Sequence, residues 1–258
     1  MSGLLIAREG ALARLTLNRP EALNALDVDT AQALLAACRA LHGDRSVRAV
    51  LLSGAGRAFA AGGDLAQMRA DPVGVADALI TPLHEALSLL AELDAPVIVA
   101  LHGVVAGAGV SLAAAADLAL AAEGTKFNLA YVNVGTSCDL GSTWSLPRLV
   151  GLRRAMEIAL LGETFDAAHA LQIGLVNRVL PQAQLMAEAE ALAHRLAQGP
   201  TQALGRMKRL LRTSFERTLT EQLEAERGAF LECAATPDFR EGLEAFFDKR
   251  TPRFGGQP

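Results

Sequence analysis

Two glycine-rich stretches constrain the fold of this chain more than any other feature. Residues 58–64 and 103–109 each follow a short apolar run, 47–52 and 96–101, that predicts a buried strand, and each leads into a helical pattern. Such strand-to-helix turns let backbone N–H groups point at one spot, where helix N-termini add partial positive charge. A pair of these donors can hold charge developing on a carbonyl oxygen. Close packing of two tight turns explains the glycine content equally well.

Composition indicates a globular protein with an aliphatic core. The chain has 258 residues, 51% of them hydrophobic and 20% charged, with one Trp and one Tyr. This fits one large domain, or one domain with a small helical appendage. A net charge of −4 without a basic run argues against a nucleic-acid partner.

Cysteine usage and hydropathy bear on the cellular compartment. The three cysteines, Cys38, Cys138 and Cys233, are scattered and match no metal-ligand or redox spacing, which predicts a reducing compartment and no metal. Residues 1–14 do not resemble a signal peptide. The longest apolar stretches are interrupted by Asp, Glu, Gly or Pro, so no membrane span is required. We therefore expect a cytoplasmic protein without a membrane partner.

The first two-thirds of the chain alternates strand and helix patterns. Residues 4–7, 12–17 and 117–122 predict strands. Asp27 is a candidate cap for a helix through about residue 41, whose Leu34, Leu35 and Cys38 share one face. This β-then-α order predicts parallel strands joined by helical crossovers.

The pattern becomes almost wholly helical from about residue 181 to residue 250. Breaks are predicted at Gly199-Pro200 and Thr236-Pro237, and residues 201–212 are basic. Charge segregation of this sort usually marks a solvated helix face; packing against another subunit is the more specific interpretation.

Three segments carry a resemblance to a known family. Residues 18–26, 54–64 and 102–109 resemble the signature segments of the crotonase (enoyl-CoA hydratase/isomerase) superfamily in order and spacing, and the likeness continues to about residue 242. It implies an α/β fold with a ββα spiral acyl-CoA-binding core at residues 1–198. Residues 199–258 would form a helical oligomerisation region that builds a homotrimer or a dimer of trimers. The resemblance further implies a coenzyme A thioester substrate and no permanently bound cofactor.

The resemblance also implies a site. Its two oxyanion donors are the residue after Ala-Gly in the first glycine-rich segment and the third residue of the glycine-rich tetrad in the second, here the backbone N–H groups of Gly63 and Ala108. The implied coenzyme A contacts are Ala22, Leu23, Ala60, Ala61, Asp64, Leu65, Ala66 and, from a neighbouring subunit, Lys249. For Lys249 a solvated side chain is the alternative. Asp64 and Asp117 also suit a structural role at turns or helix ends.

The sequence departs from the hydratase pattern at both of its glutamates. Those positions hold Ser111 and Tyr131 here. A hydroxyl and a phenol are poor general bases near neutral pH, because their ordinary pKa values lie far above it. Straightforward hydration is therefore disfavoured.

Asp139 is the remaining candidate acid/base. Its segment, 135–148, resembles the 1,2-epoxyphenylacetyl-CoA isomerase branch of the superfamily, although Cys138 replaces the usual Pro and Ser142 the usual second Gly. The alternative for Asp139 is a helix N-cap. Tyr131 and Trp144, with Ser111, are candidates to line the acyl pocket, and isolated aromatics also suit a core.

These residues together predict an acyl-CoA isomerase. Asp139 would move a proton and thereby a C=C bond, or rearrange a ring-bearing acyl group, while Gly63 and Ala108 hold the thioester oxygen. Two alternatives stay open: an enoyl-CoA hydratase (a lyase) that uses a different carboxylate, and a non-catalytic acyl-CoA-binding homologue.

Overall fold

The computed structural model describes residues 2–255, which contain nine strands and eleven α-helices. The predicted regions 1–198 and 199–258 therefore each extend slightly outside the described residues, and the boundary between them stays a prediction. The strands are β1 (Leu4–Glu9), β2 (Leu12–Leu17), β3 (Ala49–Gly54), β4 (Val97–Leu101), β5 (Val104–Ala106), β6 (Leu118–Ala122), β7 (Lys126–Asn128), β8 (Phe165–Asp166) and β9 (Arg178–Leu180).

The helices are distributed unevenly along the chain. They are α1 (Val28–His42), α2 (Leu65–Met68), α3 (Pro72–Glu92), α4 (Ala108–Ala115), α5 (Ser142–Val150), α6 (Leu152–Leu161), α7 (Ala167–Gln172), α8 (Leu185–Ala197), α9 (Thr201–Thr213), α10 (Leu219–Ala234) and α11 (Pro237–Phe247). The four last helices confirm the predicted helical C-terminal part and its breaks at 199–200 and 236–237.

Two sheets organise the strands. The larger has the order β1-β2-β3-β4-β6-β9, parallel except for the antiparallel β1-β2 hairpin. The smaller has the order β5-β7-β8, with β5 parallel to β7. The parallel strands with helical connections that the alternation predicts are confirmed.

Both faces of the inner strands β3, β4 and β6 of the larger sheet are covered, which is why these strands are almost wholly apolar. On β3, Val50 and Leu52 belong to the larger apolar cluster, which includes side chains of α1, α3 and α4. Ala49 and Leu51 point to the opposite face, where α8 packs. Successive residues of a strand alternate between faces, so one short run serves both clusters.

The predicted boundaries need three adjustments. The strand expected at 47–52 is β3 at Ala49–Gly54, because the Val47 N–H closes a turn on the Asp44 carbonyl at 3.1 Å. The hairpin extends β1 to Glu9, with Gly10 in the left-handed region at the turn. The second glycine-rich stretch is not only a turn, since it contains β5 before α4 begins.

Helix α1 forms as predicted. The Asp27 carboxylate accepts a hydrogen bond from the Thr30 N–H at 2.8 Å, and Leu34, Leu35 and Cys38 are buried. Burial raises the pKa of the Cys38 thiol to about 12, so this thiol stays protonated.

Helix α3 is long and apolar enough, by length and composition alone, to cross a membrane, a test that core helices of soluble proteins also pass. It packs along α1 and buries Leu79, Leu83 and Leu90. One such helix is weak evidence, and the expected absence of a membrane partner stays a prediction.

The interpretation of the basic α9 as a solvated face is wrong for its central residues. Asp117, just before β6, accepts hydrogen bonds from Lys208 Nζ at 2.9 Å, Arg212 Nη2 at 2.8 Å and the Val97 N–H at 2.8 Å. The side chains of Asp117 and Lys208 are only 12% and 10% exposed. Lys208 and Arg212 thus attach α9 to the amino-terminal ends of β4 and β6, two inner strands of the sheet, within the same chain.

Asp117→Asn tests this attachment. It removes the charge that compensates the buried Lys208 ammonium, and we expect the free energy of unfolding to fall by about 3–5 kcal/mol in urea titrations. The matched control is Asp94→Asn, because Asp94 also pairs with a basic residue of α9, Arg209, but both side chains are about 40% exposed. There we expect a loss below about 1 kcal/mol. Equal losses in the two variants would contradict the account.

Candidate functional site

The two glycine-rich turns lie against each other. Ala60 and Val105 form a parallel bridge, and the Ala106 N–H donates to the Ala60 carbonyl at 2.8 Å. A Cβ placed on Gly103 would lie 1.9 Å from the Arg57 carbonyl oxygen, and one placed on Gly109 would lie 2.5 Å from the Ala60 carbonyl oxygen. The absence of side chains at Gly103 and Gly109 therefore permits the backbone of one turn to approach that of the other.

This approach brings two backbone donors into the same region. Ala108 is the first residue of α4, where N–H groups have no intrahelical acceptor. Gly63 lies just before α2, and within residues 2–255 neither its N–H nor that of Ala108 donates to a protein acceptor. Free N–H groups next to a helix N-terminus are suited to bind an anionic oxygen.

The first turn is fixed by the buried Asn24 side chain. Asn24 Nδ2 donates to the carbonyls of Ala55 and Ala58 at 2.8 and 2.7 Å, and Oδ1 accepts from the Arg19 N–H at 2.8 Å. Because an amide offers both donors and an acceptor, it can join the turn to the segment before α1.

Arg19 and Asp64 complete the attachment of that turn. Arg19 Nη1 lies 3.0 Å from Asp64 Oδ2, and Asp64 caps α2 by accepting from the Ala66 and Gln67 N–H groups. Burial alone would raise the pKa of Asp64, but the bonds from Arg19 and these amides outweigh it and hold the pKa below its ordinary value. Asp64 thus has the structural role that the sequence allowed.

The predicted coenzyme A residues lie in two places. The Ala61 N–H donates to the Leu23 carbonyl at 3.0 Å, which brings the segments of Ala22–Leu23 and Ala60–Ala66 together. Leu65 and Ala66 are exposed at the start of α2. Lys249 is separate: it is exposed just after α11, in the C-terminal helical region. Its contact with coenzyme A from a neighbouring subunit stays a prediction.

Ser111, Tyr131 and Asp139 form a continuous hydrogen-bonded chain. Ser111 Oγ lies 3.1 Å from the Tyr131 hydroxyl, and that hydroxyl bonds Asp139 Oδ1. Ser111 is fully buried on α4, three residues after Ala108. The candidate acid/base is therefore connected to the helix that carries one of the candidate oxyanion donors.

Burial raises the pKa values of both Asp139 and Tyr131 in this hydrogen-bonded series. The pKa of the Asp139 carboxyl is raised, mainly by burial, while the Tyr131 hydrogen bond and the nearby His84 oppose the rise. The pKa of the Tyr131 phenol is raised further above its ordinary value, by burial and then by the Asp139 charge. A carboxyl group with a raised pKa is better matched to proton transfer near neutral pH.

The loop of Asp139 is held from several sides. The Leu140 N–H donates to His84 Nε2 at 3.2 Å, and the Asp139 carbonyl accepts from Ser142 Oγ at 3.0 Å. Leu140 has a positive φ of 49° and a buried side chain. Helix α5 begins at Ser142, and no side chain caps it. The N-cap alternative for Asp139 is therefore not what the structure has.

His84 was not predicted from the sequence as a site residue. It lies on α3, far along the chain from Leu140, and a helical histidine carries no signal that its ring accepts from a distant backbone N–H. His102, at the start of the second glycine-rich segment, is buried, and its Nε2 lies 3.0 Å from the Gly56 carbonyl oxygen.

Trp144 lies on α5, behind the Asp139 loop. It is 39% exposed, and the Arg148 guanidinium stacks on its ring at 4.0 Å. It lines a cavity of about 340 Å³ together with His84 and Leu140. A larger cavity, about 640 Å³, lies elsewhere against Arg48 and Phe254 and contains none of the predicted site residues. Within residues 2–255, no cluster of side chains is suited to hold a metal ion.

Comparisons with known proteins identify the family of this chain. The family model described as enoyl-CoA hydratase/isomerase matches residues 7–257. The chain belongs to this family. Among solved structures, it is similar to that of an enoyl-CoA hydratase from Polaromonas sp. JS666, with a TM-score of 0.92 and 34% sequence identity. The match covers 98% of this chain and 99% of that one. The fold is that of the crotonase superfamily, as the three signature segments predict.

Relatives in this family carry different activities. The chain is 40% identical to the 1,2-epoxyphenylacetyl-CoA isomerase of Escherichia coli (strain K12) over 262 residues, covering 100% of both chains. It is 37% identical to a probable enoyl-CoA hydratase of Rhodobacter capsulatus, covering 95% of each. It is 32% identical to the trans-2-decenoyl-[acyl-carrier-protein] isomerase of Streptococcus mutans, covering 96% of each. Members of the family are thus enzymes that include isomerases and hydratases.

Gly109→Ala tests the close approach of the two turns. Gly109 lies in α4, and its added Cβ would lie 2.5 Å from the Ala60 carbonyl oxygen. We expect the free energy of unfolding to fall by about 1–3 kcal/mol. The matched control is Gly228→Ala in α10, where a Cβ meets open space; there we expect a gain of about 0.5–1 kcal/mol. Two gains, measured by denaturant unfolding, would show that the approach does not require glycine.

Proposed function

We propose that this chain is an acyl-CoA isomerase that moves a C=C bond of an unsaturated coenzyme A thioester between positions 3 and 2. The thioester oxygen binds between the N–H groups of Gly63 and Ala108. Asp139 takes a proton from C2, the electron pair passes through the C=C bond and the thioester as a dienolate, and Asp139 returns the proton to C4. Atoms balance with a single acid/base and no added water.

The observation that carries the proposal is the position of Asp139 in the hydrogen-bonded chain that begins on α4. Its carboxyl group is buried enough to have a raised pKa, and only one of its oxygens is occupied by Tyr131. A carboxyl group so placed can accept a proton, hold it while the dienolate exists and return it. Two relatives that are named as isomerases support isomerisation as the reaction.

Ser111 and Tyr131 support isomerisation over hydration. Both positions where the resemblance expects a water-activating glutamate hold hydroxyl groups, and the two hydroxyls bond each other at 3.1 Å. Neither is a base near neutral pH, and the pKa of Tyr131 is raised further above its ordinary range. Hydratase stays a second candidate because several relatives carry that name.

The natural acyl group and the assembly are also proposals. A ring-bearing acyl group, as in phenylacetate breakdown, is supported by the similarity to the Escherichia coli isomerase. A homotrimer or a dimer of trimers through the C-terminal helices is supported by large apolar side chains exposed there: Leu211, Phe215, Leu219, Phe230, Phe246 and Phe247. A group of this size on a surface usually marks an interaction site. Cytoplasmic location remains a prediction from cysteine usage.

Asp139→Asn tests the reaction. The amide keeps the size of the side chain but cannot take up the proton, so we expect the rate of 3-enoyl-CoA isomerisation to fall by about 100- to 10,000-fold. Double-bond position, deuterium uptake from D₂O and mass gain are followed together by NMR and mass spectrometry. The matched control is Asp44→Asn, an exposed carboxylate paired with Arg8, and it should keep the wild-type rate.

The outcomes separate the alternatives. An unchanged rate in Asp139→Asn would remove Asp139 from the mechanism. Water addition by the wild-type protein would favour the hydratase. Binding of coenzyme A esters without turnover would favour the non-catalytic homologue.

Ala108→Pro tests the oxyanion donor on α4. Proline at the first position of a helix is tolerated because the N–H that it lacks has no intrahelical acceptor. We expect kcat to fall by about 100- to 1,000-fold in a folded protein. The control is Ala167→Pro, which changes the first residue of α7 instead. Wild-type kcat in a folded Ala108→Pro variant would exclude this N–H as a donor.

A further inference from the structure

Tyr131 is placed to act on the acid/base through a hydrogen bond whose direction is fixed. An ionised carboxylate can only accept, so the Tyr131 hydroxyl donates to Asp139 Oδ1. That hydroxyl has one proton, and its oxygen must then accept from Ser111 Oγ, 3.1 Å away. The order of donation is therefore Ser111 to Tyr131 to Asp139.

The backbone around Tyr131 holds its ring in place. Ala130 has a positive φ of 55°, which turns the chain away from β7. The Tyr131 carbonyl then accepts from the N–H groups of Val134 and Thr136, each at 3.1 Å. Tyr131 is thus the closing residue of the loop 131–136 as well as the centre of the hydroxyl chain.

Ser111 and Asp139, the two ends of this hydrogen-bonded series, belong to different parts of the site. Ser111 lies one helical turn after Ala108, a candidate oxyanion donor, and Asp139 lies on the loop before α5. In the described part of the chain, Asp139 Oδ2 accepts no hydrogen bond, while Oδ1 is occupied. The hydrogen bond from Tyr131 therefore makes the two Asp139 oxygens different: Oδ1 is held by the phenol, and Oδ2 is open to another partner.

We propose that Tyr131, oriented by Ser111, is a positioning residue that holds Asp139 Oδ1 and leaves Oδ2 as the oxygen that exchanges the proton with substrate. This rests on the proposed function. Tyr131 takes no proton from the substrate. It fixes the distance between the base and the oxyanion donors through α4, and it keeps the buried carboxyl group ionised until the substrate proton arrives.

The hydrogen bond from Tyr131 affects the pKa of Asp139 in a definite direction. Three titratable groups face Asp139: Tyr131 from the segment after β7, His84 from α3, and Cys138 on its own loop. The Tyr131 hydrogen bond lowers the pKa of Asp139 against the effect of burial. Its removal should raise that pKa, and the acidic limb of the rate profile should then move to higher pH.

Tyr131→Phe is the test, because it removes one oxygen and keeps the ring. We expect kcat for 3-enoyl-CoA isomerisation to fall by about 10- to 100-fold, with KM nearly unchanged. The acidic limb of kcat should shift to higher pH, and ¹³C NMR of the Asp139 carboxyl carbon should show the same rise in its pKa. Ser111→Ala should give a smaller shift in the same direction.

The controls separate the causes. The shift caused by Tyr131→Phe should persist in a His84→Gln background, which removes the imidazole neighbour. Ser214→Ala, at the end of α9, removes a hydroxyl that bonds only the Leu211 carbonyl and should leave the pH profile unchanged. If Tyr131→Phe does not fold, Ser111→Ala supplies the same two readouts.

A lower kcat without any shift in the pH limb or in the Asp139 carboxyl pKa would show only a packing role and overturn the proposal. An unchanged kcat and profile would overturn it as well. The carboxyl pKa is measured without substrate, so its result holds even if the isomerase function fails. The loss of activity in Asp139→Asn decides that function separately.

Discussion

The contact between the two glycine-rich turns is the constraint on which the rest of this structure depends. Strands β3 and β4 are neighbours in a parallel sheet, so the segments that follow them leave the sheet at the same edge. A side chain at Gly103 or Gly109 would clash with the backbone carbonyl of Arg57 or Ala60 on the first turn. Because no side chain intervenes, the free N–H groups of Gly63 and Ala108 can serve one oxygen atom.

Polar side chains support the first turn and the sheet from which both turns emerge. Asn24 and Arg19 join the first turn to the segment before α1, and Asp64 caps the helix that follows it. Asp117 joins α9 to the amino-terminal ends of β4 and β6, at the end of the strands opposite the turns. These side chains are buried or half-buried and hydrogen-bonded, which is the condition under which burying them is tolerated. A rigid frame of this sort can hold donors in place for charge that develops during a reaction.

The sequence predicted the strands and helices better than the hydrogen bonds of the candidate site. Strand β2, the extent of α1 and the helical C-terminal part follow from local periodicity and from Asp, Gly and Pro at the ends of elements, and these are confirmed. The family resemblance predicted Gly63 and Ala108 as oxyanion donors and Asp139 as the acid/base, and these roles stay predictions. The connection between Ser111, Tyr131 and Asp139 could not be read from spacing, because its groups meet only after β7 and α4 have packed. The role of His84 and the internal pairing of α9 were hidden for the same reason: each depends on a partner distant in the chain.

The central claim is that the Asp139 carboxylate and the N–H groups of Gly63 and Ala108 act on the same bound thioester. A crystal structure with an unreactive acyl-CoA analogue tests it most directly. The account predicts the thioester oxygen about 2.7–3.1 Å from the nitrogens of both Gly63 and Ala108, with Asp139 Oδ2 facing C2 of the acyl chain. A thioester oxygen bound elsewhere, or an acyl chain out of reach of Asp139, would contradict it.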